Sequence, residues 1–146
     1  MKLTEHFHLE ELIATQHRMI NNSLPDVLMP NARRLAMTLE KVRLILNAPI
    51  LITSGYRCEA LNKAVGGSLR SDHMAAMAAD FTAPSFGSPY SICLALLPKL
   101  DDLGINQLIH EFGRWVHIGI GPLSSPVNRV LTIDSQSTRS GIHKVV

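Results

Sequence analysis

The segment SLRSDHMAAMAADFTAP, residues 68–84, sets a histidine, His73, seven positions before an aspartate, Asp80, with a run of alanines and methionines between them. Such a run ordinarily belongs to a core. An imidazole and a carboxylate at its two ends are groups that bind metal ions. On one straight helix they would lie about 10 Å apart along the axis, able to share an ion only at full stretch. A loop that turns into a strand serves better, with His73 on the loop after Ser71 and Asp80 on the strand AADFT. A second histidine, His117, falls in WVHIGI, on the same side of a strand as Trp115 and Gly119 by period-two alternation. Two histidines and one carboxylate are enough for one zinc ion with a coordination position left for water. Spacing alone does not fix that set, because His-x6-Asp has no defined geometry, unlike two histidines one helical turn apart.

Hydrolysis at such a centre needs a base. Glu111 is the carboxylate nearest His117 in the chain. A hairpin loop over residues 112–114 would pair Glu111 with Trp115 and set it diagonally on the face of His117. A loop one residue shorter would turn Glu111 away and put His110 opposite His117, as a ligand or its outer partner. Otherwise His110 reads as an exposed strand residue.

The elements that must hold these groups follow from pattern. LTEHFHLEELIATQHRMI begins with helical spacing at Leu9, Leu12 and Ile13, extending loosely to Ile20. PNARRLAMTLEKVRLILN is the clearest helix, with Asn31 as its cap and Leu35, Leu39, Val42 and Leu46 on one apolar face. PILITSGYR reads as a buried strand over residues 50–53 and a turn, and CEALNKAVGG as a short helix stopped by glycines. Ser88 caps a helix with Pro89 in its first turn, and Pro98 ends or kinks it. NQLIHEF, WVHIGI and RVLTID are three late strands. Helices early and strands late predict an α+β fold with a mainly antiparallel central sheet flanked by helices.

The chain of 146 residues fits a single domain, 1–146, of which 121–146 is the least regular part and its polar end a partly loose tail. With 46% hydrophobic and 18% charged residues it is neither disordered nor fibrous. A net charge of +2 without a basic stripe, and 5% aromatics, give no case for nucleic acid. No run is long enough to span a membrane, and MKLTEHFHLEEL has no apolar core of a signal peptide. Cys58 and Cys93 form no CxxC pair and read as buried free thiols. His6, His8, His17 and His143 read as surface or capping residues, and Arg33/Arg34 as a solvated helix face.

SGYRCEALNKAVGG, SDHMAAMAAD and EFGRWVHIGI, in that order, resemble the zinc D-Ala-D-Ala carboxypeptidases and phage L-alanyl-D-glutamate endopeptidases (endolysins), whose zinc fold is shared with the hedgehog domain. The resemblance covers roughly residues 3 to 120. It implies zinc ligands at His73, Asp80 and His117, a general base at Glu111, and Arg57 as the group that holds a substrate carboxylate or carbonyl. Ser71 and Trp115 join Arg57 in the expected substrate site. Ala76 stands where the family pattern has glycine, and a positive φ there would strain it by about 1 kcal/mol. The implied activity is hydrolysis of an amide bond in a peptidoglycan stem peptide by a monomer. The implied setting is a phage or prophage protein made in the cytoplasm and acting on the cell wall after release, or carried on a particle. The rival readings are a catalytically inactive zinc module that binds cell-wall peptides or a protein, and a structural component of a phage particle. The position of Glu111 relative to the ligands separates the first rival from the enzyme.

Overall fold

The computed structural model describes residues 1–121 and 129–145; the remainder of the expected loose segment, 122–128 and 146, lies outside the described residues. The strands are β1 (Leu51–Ser54), β2 (Ala78–Thr82), β3 (Gln107–Glu111), β4 (Trp115–Gly119), β5 (Arg129–Ile133) and β6 (Thr138–Ser140). They form one sheet in the order β1-β2-β4-β3-β5-β6. Every pairing is antiparallel except β3 with β5. The α+β class and the mainly antiparallel sheet are those expected from the sequence. The parallel pair and β6 are not, because TRS has no apolar alternation and takes its place by pairing with Thr132 and its neighbours at the sheet edge. The expected loose end thus carries an edge strand.

Alternation divides the sheet into two faces. Ala79 and Phe81 of β2, Leu108 of β3, and Val116 and Ile118 of β4 turn into the core. Helix α4 (Pro89–Leu96) packs on β3 and β4 through this face, and α2 (Met29–Leu46) packs on α4. Leu35, Leu39, Val42 and Leu46 are all buried, as their spacing requires. Each contributes about 1.5–3 kcal/mol by leaving water. Asp80, His117 and Glu111 belong to the opposite set of positions.

The N-terminal helix is shorter than its pattern suggests. Only Leu9–Ile13 is helical (α1), and Ala14 is already extended. The last carbonyls of α1 are taken by tertiary partners: Tyr56 N–H donates to Leu12 O at 2.6 Å and Asn22 Nδ2 to Ile13 O at 3.0 Å. Continuing the helix would forfeit both bonds. Gly55 permits the approach, since a Cβ there would stand 2.5 Å from Leu12 O. Asn31 is not the cap of α2, which starts two residues earlier after a 3-10 turn over Asp26–Leu28; its Nδ2 donates instead to Ala75 O at 3.0 Å. Arg33 is exposed as expected, but Arg34 is half-buried, its Nη2 donating to Ile120 O and Gly121 O at 3.1 and 3.0 Å. Cys93 is buried, and Cys58 is only partly so: it caps α3 (Glu59–Ala64), its Sγ accepting from Leu61 N–H.

The segment before α1 is held on α2 by one carboxylate. Glu40 accepts from Thr4 Oγ1 at 2.8 Å, His6 N at 2.6 Å and His6 Nδ1 at 2.9 Å. Burial pushes the Glu40 pKa up, but the bonds from His6 and Thr4 outweigh it and hold the carboxyl below its ordinary value. A carboxyl depressed in the folded state stabilises fully above its unfolded pKa, about 4.3, and loses that contribution as pH falls through the folded value. Glu40→Gln is therefore expected to cost about 1 kcal/mol at pH 7, the difference between charge-assisted and neutral hydrogen bonds. The cost should shrink at an acid pH low enough to protonate the folded-state carboxyl. Urea unfolding of both proteins at the two pH values measures it, and an equal cost at both would remove the carboxylate from the account.

Candidate metal centre and cleft

The strand AADFT is β2, and His73 precedes it on a 3-10 turn, Asp72–Ala75, as loop-then-strand geometry requires. Ser71 starts the turn, its Oγ accepting from His73 N–H at 3.2 Å. Ala76 ends it at φ 57°, ψ 36°, the left-handed region. The turn therefore needs the conformation that glycine adopts freely and alanine does not. The backbone of the turn is tied to the SGYR segment through Arg57 N–H, which donates to His73 O at 3.0 Å.

Registry brings the third group in. Asp80 on β2 pairs directly with His117 on β4. Across the sheet Glu111 pairs with Trp115, so the hairpin loop is the longer of the two considered, residues 112–114. Glu111 accordingly lies on the His117 face, its Oε1 3.9 Å from His117 Nδ1. His110 pairs with Val116 and points the other way. It is buried, not exposed, and is no ligand: its Nδ1 donates to His143 O at 2.8 Å, with its ring beside Tyr90 of α4. His110 thereby fastens the C-terminal strand segment to the core side of the sheet. His143 is exposed and its Nε2 meets Ser140 O, whereas His6 and His8 stay at the surface.

At the centre His73, Asp80 and His117 are all buried, with one ligand atom from each within 4.8 Å of the others. Asp80 Oδ1 is 2.8 Å from His117 Nδ1 and 3.3 Å from His73 Nε2. His73 Nδ1 donates to Gly55 O at 2.6 Å, a carbonyl that can only accept, so Nε2 carries the lone pair. That Nε2 is buried and makes no hydrogen bond. An orphaned imidazole lone pair aimed at a buried carboxylate lacks a positive partner, and a divalent cation satisfies all three groups at once. The donor set, two nitrogens and a carboxylate oxygen, suits zinc.

Burial alone would raise the Asp80 pKa, but with no cation between them, protonated and donating imidazoles at His117 and His73 prevail and hold it well below the usual carboxylate range. Arg57 adds a further cation, with Nη2 3.5 Å from Asp80 Oδ2. Nε and Nη1 of the same guanidinium donate to Ser54 Oγ and Asn62 Oδ1 at 3.3 and 3.2 Å. Burial pushes the Glu111 carboxyl up, and the charge of Asp80 adds to it, against smaller opposing effects of His117, Arg57 and Trp115.

The cluster forms the floor of a cleft of about 830 Å³ whose walls include Arg57, Ser71, Glu111, Phe112, Trp115 and the loop through His17. Every residue expected at the site thus faces one space, although Ser71 also caps the His73 turn and Arg57 also braces Asp80. His17 on the rim was read only as a surface residue. Gln107 was not singled out: its Oε1 lies 3.2 Å from His117 Nε2. The signal was present, because Gln107 shares the strand face of Glu111, four residues on.

Relieving the left-handed alanine should gain about 1–2 kcal/mol, less about 0.8 kcal/mol for a buried methyl. Ala76→Gly is thus expected to leave stability equal or up to about 1 kcal/mol higher, read from the urea midpoint. A clear loss would mean that the turn does not strain alanine.

No curated protein matches the chain. The family model described as Peptidase M15 matches residues 5–119. That segment runs from the latch on Glu40 to the last residue of β4 and takes in all three members of the cluster and Glu111. On a match of this extent, the chain belongs to the Peptidase M15 family.

Proposed function

We propose that this peptidase is a zinc enzyme that hydrolyses an amide bond in peptidoglycan stem peptides, at D-Ala-D-Ala or L-Ala-D-Glu, in the manner of the phage and prophage proteins its motifs resemble. The observation that carries the reading is the placement of Glu111. A half-buried carboxylate with a raised pKa stands 3.9 Å from a histidine of the cluster, on the wall of the same cleft. A module that only bound peptides would have no use for a base there.

His73, Asp80 and His117 would hold the ion. Bound there, zinc supplies Lewis acidity, lowering the pKa of water and polarising a carbonyl. The chain's own groups do the rest. Glu111 takes the proton of the attacking water and returns it to the nitrogen of the leaving amine, so that the C–N bond breaks and a carboxylate and an amine result. Burial and the Asp80 charge raise its affinity for that proton, which suits a group that must take a proton and give it back. Arg57 has three of its N–H groups engaged by Ser54, Asn62 and Asp80 and two to spare. Those two can hold a substrate carboxylate or carbonyl oxygen, and the bond to Asp80 fixes the guanidinium plane. Trp115 and Phe112, packed at 5.5 Å between ring centroids, wall one end of the cleft against water. A volume of about 830 Å³ is within the range of sites that enclose small ligands and suits a short peptide.

Purified peptidoglycan incubated with zinc-loaded protein should release stem-peptide fragments whose masses identify the bond, and a chelator should stop the release. Glu111→Gln is expected to lower kcat by about 10²–10⁴-fold while leaving zinc bound. Cleavage insensitive to chelator, or none by zinc-loaded protein, would sink the reading.

A further inference from the structure

The two histidines differ in what holds their outer nitrogen. His73 is fixed by a backbone carbonyl, Gly55 O. For His117 the partner is a side chain that must be held in place. Gln107 pairs with Gly119 across the β3–β4 ladder, two residues beyond His117. A diagonal neighbour of that kind reaches a side chain on the same face. Gln107 lies over Gly119 to do so: a Cβ on residue 119 would stand 2.9 Å from Gln107 Oε1 and 3.2 Å from Asp72 Oδ2. The backbone of Gly119 is ordinary extended strand, so its turn-forming freedom is not what the position needs. What the position needs is room.

We propose that Gln107 is a positioning residue for the metal centre and that Gly119 is its clearance. Gln107 Oε1 accepts the Nε2–H of His117 at 3.2 Å. A neutral imidazole carries one N–H, so this bond makes Nδ1 the lone-pair nitrogen. Nδ1 is the atom that lies 2.8 Å from Asp80 Oδ1, at the point where the three ligand atoms converge. The bond also sets the ring plane, which stands at 60° to that of His73 with centroids 5.1 Å apart. Outer partners that hold a ligand histidine in this way are worth about 10–100-fold in metal affinity. An alanine at 119 would displace the flexible end of Gln107 and undo the bond without touching a ligand.

This inference rests on the zinc reading above, and its test separates the two. Zn²⁺ alone is titrated into the metal-free chain against a chromophoric chelator, for the wild type, Gln107→Leu, Gln107→Met, Gln107→Glu and Gly119→Ala. The Leu, Met and Ala variants are expected to bind about 10–100-fold more weakly. Gln107→Glu retains an acceptor and is expected to restore affinity to within a few-fold of the wild type. In the zinc-loaded protein a proton resonance coupled to His117 Nε2 should be sheltered from exchange in the wild type and Gln107→Glu, and lost to solvent exchange in Leu, Met and Ala. A purely structural role would lower Tm without moving that resonance. Unchanged affinity in folded Gly119→Ala and Gln107→Met, or a resonance that survives in them, overturns the proposal. A wild type that takes up no Zn²⁺ overturns instead the metal reading on which it rests.

Discussion

A buried carboxylate facing two imidazoles is the constraint around which this chain is built. Asp80 is 5% exposed, and an ionised aspartate so placed survives only if positive or donor groups surround it. Arg57 covers one oxygen, and His117 and His73 crowd the other. The lone pair of His73 Nε2 is left facing that oxygen unsatisfied. The arrangement thus lacks an electrophilic partner for that lone pair, and the lack points at one spot. A protein that needed only a stable core would place an apolar residue here, because a buried ionic cluster returns little stability for its desolvation cost.

The rest of the molecule delivers that spot from parts distant in sequence. Helix α1 ends against Gly55 and Tyr56, so the N-terminal segment sets the loop whose carbonyl fixes His73. Asn22 reinforces the same junction from the other side, bonding Ile13 O, Tyr56 O and Cys58 N. Asn31 reaches from α2 to the carbonyl of Ala75 within the His73 turn. These are side chain to backbone bonds, each worth about 0.5–1.5 kcal/mol net. Their larger effect is directional, because they hold an irregular loop against a sheet at the precision a ligand cluster demands. The sheet itself needs no such bracing at β2 and β4, where the ladder fixes Asp80 opposite His117.

Much of this was legible in the residues. Apolar pattern located α2, the capping of α4 by Ser88, and β1, β3, β4 and β5, although β1 runs over 51–54 and is not the buried strand expected; β2 was placed by the demand that His73 and Asp80 reach one ion. The three motifs located the cluster and Glu111. What failed were inferences from a single element considered alone. Asn31 looked like a cap, Arg34 like a solvated side chain, and the spacing from Leu9 to Ile20 like one helix. Each was overruled by a partner at least nine positions away: Ala75, Ile120 with Gly121, and Asn22 with Tyr56. Tertiary hydrogen bonds override local preference because an unpaired buried carbonyl costs about 1–3 kcal/mol, more than most differences in propensity.

The amino-acid sequence by itself determined which atoms are available: two imidazoles, two carboxylates and a guanidinium, set in segments whose patterns are those of strand and loop. It also determined that the residue after Ala75 would be strained in any left-handed turn. Tertiary structure decided which of the histidines share a face. That question turned on one residue of hairpin loop, and a shift of one residue in a strand exchanges its two faces. The extra residue lets Phe112 and Gly113 turn through positive φ before Arg114, and so sends Glu111 to the side of His117 and Asp80 and His110 to the core.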